Sequence, residues 1–183
     1  LDRGVDGFRM DVINLISKHP GLPDGPVGPD QLYGDGGPFY MGGPRLLEFL
    51  QEMYRAVFAG RDAELLTGGE TPGISVEQAR VLTDQASQAL EMVFQFEHVD
   101  LDSGPGGKWD LQPLRLSALK DSLGRWQAGL ADRGWNSLYW DNHDQPRAVS
   151  RFGSDAPAYL AASAKALTTV LHLHRGTPYL YQG

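Results

Sequence analysis

Five short apolar runs recur along this chain, and stretches with helical spacing lie between them. This alternation restricts the fold more than any other feature. The runs span Val5 to Val12, Glu64 to Gly68, Met92 to Val99, Ser137 to Trp140 and Pro178 to Tyr181. Between them, Pro44 to Tyr54 carries apolar residues three and four apart, with a proline at its start. Ser75 offers a cap for a second helix, Leu114 to Leu130 repeats leucines at helical spacing, and Ala156-Pro157 opens an alanine- and leucine-rich stretch reaching Leu173. Such alternation predicts a parallel sheet with helices packed outside it. A closed (β/α)8 barrel needs about 250 residues, and the repeats here supply slightly more than half of one. The expected architecture is α/β, a partial (β/α)8 TIM barrel occupying residues 1–183. An open doubly wound sheet is the competing arrangement.

Three acid-bearing segments sit at the ends of these runs: Gly7-Phe8-Arg9-Met10-Asp11-Val12, Leu66-Thr67-Gly68-Gly69-Glu70-Thr71, and Trp140-Asp141-Asn142-His143-Asp144-Gln145-Pro146-Arg147. A fold that gathers strand tips would bring Asp11, Glu70 and Asp144 into one pocket. Side chains alternate along a strand, so Arg9 and Asp11 share a face. An arginine beside a carboxylate keeps it ionised, as a nucleophile toward an anomeric carbon must be. Glu70, between Gly68-Gly69 and Thr71-Pro72-Gly73, has small neighbours that leave room for a substrate. Burial near other carboxylates would raise its pKa, which suits an acid that protonates a departing oxygen. His143 and Asp144 at a strand tip can bind neighbouring hydroxyls as positive charge grows on a sugar ring. Taken singly, each segment also reads as a structural ion pair, an exposed loop glutamate or a satisfied histidine. Their joint occurrence in this order favours the catalytic reading.

Two long connections are rich in glycine and proline. His19 to Gly43 carries Tyr33, Phe39 and Tyr40, and Asp100 to Pro113 carries Trp109. Structureless loops beyond about 12–15 residues are uncommon unless functional or disordered. Both follow strands, so barrel topology places them at the C-terminal face, where barrel active sites lie. Their rings either stack on sugar faces or pack their own loops.

Composition narrows the classes. With 41% apolar and 21% charged residues the chain can bury a core. A net charge of −7 without a basic stripe argues against nucleic acid. No apolar run approaches the roughly 18 residues of a membrane span. Cysteine is absent, so no disulfide or thiolate metal site forms, and this leans toward a reducing, cytoplasmic setting. His143 and Asp144 are possible metal ligands, but no His-Glu-x-x-His pattern completes a site, so no metal and no cofactor is expected. His172 and His174 read as surface or capping residues. Both ends of the sequence read as cut, with Leu1 running straight into a strand.

These residues carry a resemblance. Gly4 to Asn14, Gly69-Glu70-Thr71-Pro72-Gly73, Phe94-Gln95-Phe96-Glu97-His98, Asn142 to Arg147 and Gly176 to Gly183 resemble glycoside hydrolase family 13, the alpha-amylase family, in its oligo-1,6-glucosidase and alpha-glucosidase branch. The resemblance covers essentially the whole chain. It implies that Asp11 is the nucleophile, Glu70 the general acid/base and Asp144 the third carboxylate that steadies the transition state. Arg9, His143 and Arg147 would then bind substrate or orient the nucleophile. The substrate would be a short oligosaccharide, cleaved with retention of configuration. Val12, directly after the nucleophile, goes with alpha-1,6 preference in this branch. The chain maps onto barrel strands four to eight, without the first three strands, the inserted small domain or the C-terminal β domain. An open section of this kind exposes two sheet edges, so these residues alone are expected to be inactive. The alternatives are a transglycosylating or isomerising relative, such as a sucrose isomerase or trehalose synthase, and a non-catalytic protein of the same fold.

Overall fold

The computed structural model describes residues 1–29, 31–62 and 64–182. In chain order its elements are β1 (Gly7–Met10), α1 (Gly37–Tyr40), α2 (Leu46–Met53), β2 (Leu66–Glu70), α3 (Val76–Thr83), β3 (Met92–Phe94), β4 (Ser103–Gly104), β5 (Gly107–Leu111), α4 (Leu116–Gly129), β6 (Ser137–Leu138), α5 (Ala148–Phe152), α6 (Leu160–His172) and β7 (Thr177–Pro178).

Strands β1, β2 and β3 pair side by side in parallel, as do β6 and β7. A parallel bridge from Val93 to Asn136 joins the two groups. Five parallel strands therefore follow one another in chain order, with helices between successive strands. This is a partial (β/α)8 arrangement that does not close, because β1 and β7 do not pair among the described residues.

The apolar mass lies between the strands and the outer helices. One cluster joins Leu46 and Leu50 of α2, Ala79 and Leu82 of α3, and Trp126 of α4 to Leu90 and Val93. A second joins Leu138 and Trp140 to Ala148 and Leu171. Strand β1 shows how alternation sorts the faces. Met10 packs into the first cluster and Phe8 lies edge-on to Phe58, so Arg9 is left on the opposite face. Close packing also explains Gly69, where a Cβ would meet Leu90 at 2.6 Å and Ile13 at 3.0 Å. Helix α3 starts where Ser75 was expected to cap it. The Ser75 hydroxyl accepts from the Gln78 amide, and Gln78 Oε1 accepts in return from the Ser75 amide at 3.0 Å.

Several boundaries differ from those read in the sequence. Strand β2 runs two residues further than expected, so Glu70 is its last residue. The run expected to stay extended to Val99 stops at Phe94 and turns into a 3-10 turn at Glu97–Val99. The Glu97 amide donates to Gln95 Oε1 at 2.7 Å, a side-chain bond that competes with a strand ladder. The two long connections are not structureless. The first contains α1, and the second folds as the antiparallel hairpin β4–β5. The long final helix begins at Leu160 rather than Ala156, and the short α5 precedes it. His172 and His174 back-bond to carbonyls four residues earlier, as capping residues do. No helix among the described residues is long and apolar enough to cross a membrane.

Candidate active site

Arg9 and Gly68 are register partners in neighbouring strands. Glycine leaves space beside Arg9, and the guanidinium reaches both acids. Nη1 donates to Asp11 Oδ1 at 2.5 Å, and Nη2 lies 2.6 Å from Glu70 Oε1. Glu70 accepts a further bond at Oε2 from the Val12 amide at 3.1 Å. The two carboxylates have opposite environments. The Glu70 side chain is 4% exposed and that of Asp11 72%. Burial pushes the Glu70 carboxyl above its usual range, against the pull of Val12 and Arg9. The Arg9 guanidinium, then a hydrogen bond from the Glu70 carboxyl, hold Asp11 below its usual range, and His143 is near enough to add to this. Two acids driven apart in this way can divide the labour of acid and nucleophile.

Arg9 and Glu70 line a cleft of about 170 Å³ together with Phe94, Tyr139, Asp141, Asn142, His143, Tyr179, Leu180 and Tyr181. Phe94 is the register partner of Glu70, so the two share a face. Its ring packs on Tyr139 and Tyr179 at centroid distances of 5.8 and 4.7 Å. The aromatic wall therefore comes from the strands. Of the loop rings singled out in the sequence, Phe39 packs edge-on against His19, and Lys18 lies over Tyr40. Tyr33 and Trp109 are largely exposed. The Lys108 ammonium lies over the Trp109 ring, 5.4 Å from its centroid.

Neither Asp11 nor Asp144 is among the cleft-lining residues; Asp11 joins the cleft through its ion pair with Arg9, whereas Asp144 has no such link to Arg9 or Glu70 among the described residues. Asp144 stands on the connection after β6, six residues beyond that strand's end. Its amide donates to Asn142 Oδ1 at 2.8 Å, its carbonyl accepts from Lys108 Nζ at 2.6 Å, and its carboxylate lies 3.2 Å from His143 Nε2. Arg147 lies over the Tyr181 ring at 4.9 Å and donates to the Gln182 carbonyl, holding the segment after β7 rather than facing the cleft. The structure thus brings Arg9, Asp11 and Glu70 together with His143 close by, and leaves Asp144 and Arg147 at the margin.

Beneath this tip lies a buried network that the sequence reading did not identify. Arg151, one turn into α5, grips Asp102 at both oxygens, with Nε 2.8 Å from Oδ2. It also donates to the Val99 carbonyl and, at 3.0 Å, to Gln145 Oε1. His98 is fully enclosed. Its Nε2 meets the Tyr139 carbonyl at 2.6 Å and its Nδ1 the Gln95 amide at 2.8 Å. A carbonyl can only accept, so Nε2 carries the proton and Nδ1 accepts. The Tyr139 hydroxyl closes the ring by donating to the Gln95 carbonyl at 2.8 Å. Among the described residues, no group of three or more histidines or carboxylates could hold a metal ion.

Comparison with known proteins identifies the family. The alpha amylase catalytic domain matches residues 1–183. An oligo-1,6-glucosidase of Parageobacillus thermoglucosidasius is 57% identical over the whole chain, which spans 32% of that protein. The solved trehalose-6-phosphate hydrolase of Bacillus licheniformis superposes with a TM-score of 0.86 at 44% identity, covering all of this chain and 31% of that one. An isomaltulose synthase of Klebsiella superposes at 0.86 with 34% identity, covering all of this chain and 32% of that one. The chain spans about a third of the length of these relatives. On the full-length family match and these identities, the chain belongs to the alpha-amylase catalytic-domain family, glycoside hydrolase family 13.

Proposed function

We propose that these residues form strands four to eight of the catalytic barrel of a retaining alpha-glucosidase of the oligo-1,6-glucosidase type, acting on short alpha-glucosides. The observation that carries this reading is the Asp11–Arg9–Glu70 group, in which one guanidinium holds an exposed, acid-shifted carboxylate beside a buried, base-shifted one. Asp11 attacks the anomeric carbon as the Glu70 proton passes to the departing glycosidic oxygen, leaving a glucosyl ester on Asp11. Glu70, now ionised, takes a proton from water, and the resulting hydroxide displaces the aspartate and restores the starting configuration. His143 and Asp144 bind ring hydroxyls and steady the developing positive charge. Arg147 contributes to binding through the segment it holds. The alpha-1,6 preference follows the identity of Val12 and the names of the relatives.

In the full-length protein, Asp11→Asn is expected to lower turnover of an aryl alpha-glucoside by at least about 10³-fold. Undiminished turnover would end the nucleophile assignment. The similarity to an isomaltulose synthase supports a second reading, in which a sugar rather than water intercepts the same intermediate. Hydrolysis is favoured by the higher identity to oligo-1,6-glucosidases. Product analysis on sucrose and isomaltose separates the two, with free glucose dominant under the hydrolytic reading.

A further inference from the structure

Asn14 is fully buried, three residues past Asp11, in the 3-10 turn Ile13–Leu15. Its Nδ2 donates to the Pro72 carbonyl at 2.7 Å, and its own carbonyl accepts from the Gly42 amide at 2.9 Å. One residue thus ties together the tail of β1, the loop behind Glu70 and the connection leading to α2.

Two residues before it, Val12 has φ 36° and ψ 41°. Branched side chains rarely adopt this left-handed conformation, and it persists only where the surroundings enforce it. Here it aims the Val12 amide at Glu70 Oε2. The Leu15 amide closes the turn onto the Val12 carbonyl at 2.9 Å. Asn14 Oδ1 is buried with no hydrogen-bond partner among the described residues. An apolar side chain of similar size would remove the unmet acceptor only by stranding the Pro72 carbonyl, so the bond to Pro72 is what the amide supplies here.

We infer that Asn14 is a positioning residue for the acid/base. By pinning Pro72 and enforcing the strained Val12 turn, it keeps the Val12 amide and the Glu70 carboxyl in register. Asn14 touches neither substrate nor the reacting atoms. The inference rests on the reading of Glu70 as acid/base.

The test compares two substrates on the full-length protein: isomaltose, whose leaving group needs a proton, and alpha-glucosyl fluoride, whose leaving group needs little help. Glu70→Gln is the control and should lose far more kcat/KM on isomaltose than on the fluoride. Asn14→Leu, close in volume but without the amide, is expected to show the same bias, losing about tenfold more on isomaltose than on the fluoride. Should the leucine variant fold poorly, Asn14→Ser keeps a donor in a shorter side chain and should show a smaller bias of the same sign. Equal losses on both substrates in a folded Asn14 variant, with the bias intact in Glu70→Gln, would overturn the positioning role and leave the acid/base reading standing. An unbiased Glu70→Gln would instead overturn the acid/base reading.

Discussion

Glu70 and Asp144 are both carried at the C-terminal side of a parallel strand, one as its last residue and the other on the connection that follows, yet the Glu70 side chain is 4% exposed and that of Asp144 53%. Glu70 is the last residue of its strand, one past the Gly69 that pairs with Met10 of β1, so the strand itself carries it to Arg9. Asp144 is carried on a connection, where the Asn142 and Lys108 side chains hold its backbone and the neighbouring His143 ring meets its carboxylate. Rigidity on that side lies one layer deeper, in the Arg151–Asp102 pair and the His98–Gln95–Tyr139 ring. The contrast teaches that a site on a barrel rim can be ordered in two ways. A strand delivers a side chain directly, or a buried polar base holds the root of a loop whose tip stays open to solvent.

The comparison can be broken most forcefully at Arg151. Arg151→Met leaves the Asp102 carboxylate enclosed without its partner, a loss worth roughly 3–5 kcal/mol. Thermal unfolding of the full-length protein should show it. Adding Asp102→Leu should recover most of that stability, because a packed apolar pair avoids the desolvation cost. If the double variant stays as unstable as the single one, the pair is not the base of the loop.

His98 offers a smaller effect with a defined pH window. Burial drops its pKa from 6.5 to about 4, so the folded state resists the proton. Above pH about 6.5 both folded and unfolded chains are neutral at this site and stability does not depend on it. As pH falls from there to about 4, the unfolded chain gains a proton that the folded one cannot, and about 3 kcal/mol is lost. His98→Gln should flatten denaturant-measured stability across that window relative to the parent. An unchanged slope would show that His98 is not the group that titrates.

The strand-delivered half is sharpened by Arg9→Met. The Arg9 guanidinium is the foremost cause of the low Asp11 pKa and also lowers that of Glu70. Its removal should move both limbs of the kcat/KM pH profile upward. A shift of one limb downward would mean that Arg9 does not serve both acids.

Much of this was legible in the chain because it depends on local rules. Alternation in β1 separates Arg9 from Phe8 and Met10, the Ser75–Gln78 pair announces a helix start, and Glu70 stands between small residues at a strand end. The parallel order of the strands followed from their alternation with helices. What stayed hidden depends on distance in sequence. Asp102 and Arg151 are 49 residues apart, and His98 and Tyr139 are 41 apart. No periodicity links them, and each reads alone as an ordinary loop or helix residue. The β4–β5 hairpin was hidden by its Gly-Pro-Gly-Gly stretch, which reads as loop although exposure alternates along Gly107–Leu111 as it does in a strand.

The proposed nucleophile is Asp11, held ionised by Arg9 beside the buried Glu70. The most direct measurement treats the full-length protein with 5-fluoro-alpha-glucosyl fluoride, digests it, and locates the added mass by tandem mass spectrometry. The expected result is a single glycosyl ester on Asp11, within the peptide that also carries Arg9 or begins just after it. A label on Glu70 or Asp144, or none despite inactivation of turnover, would contradict the account.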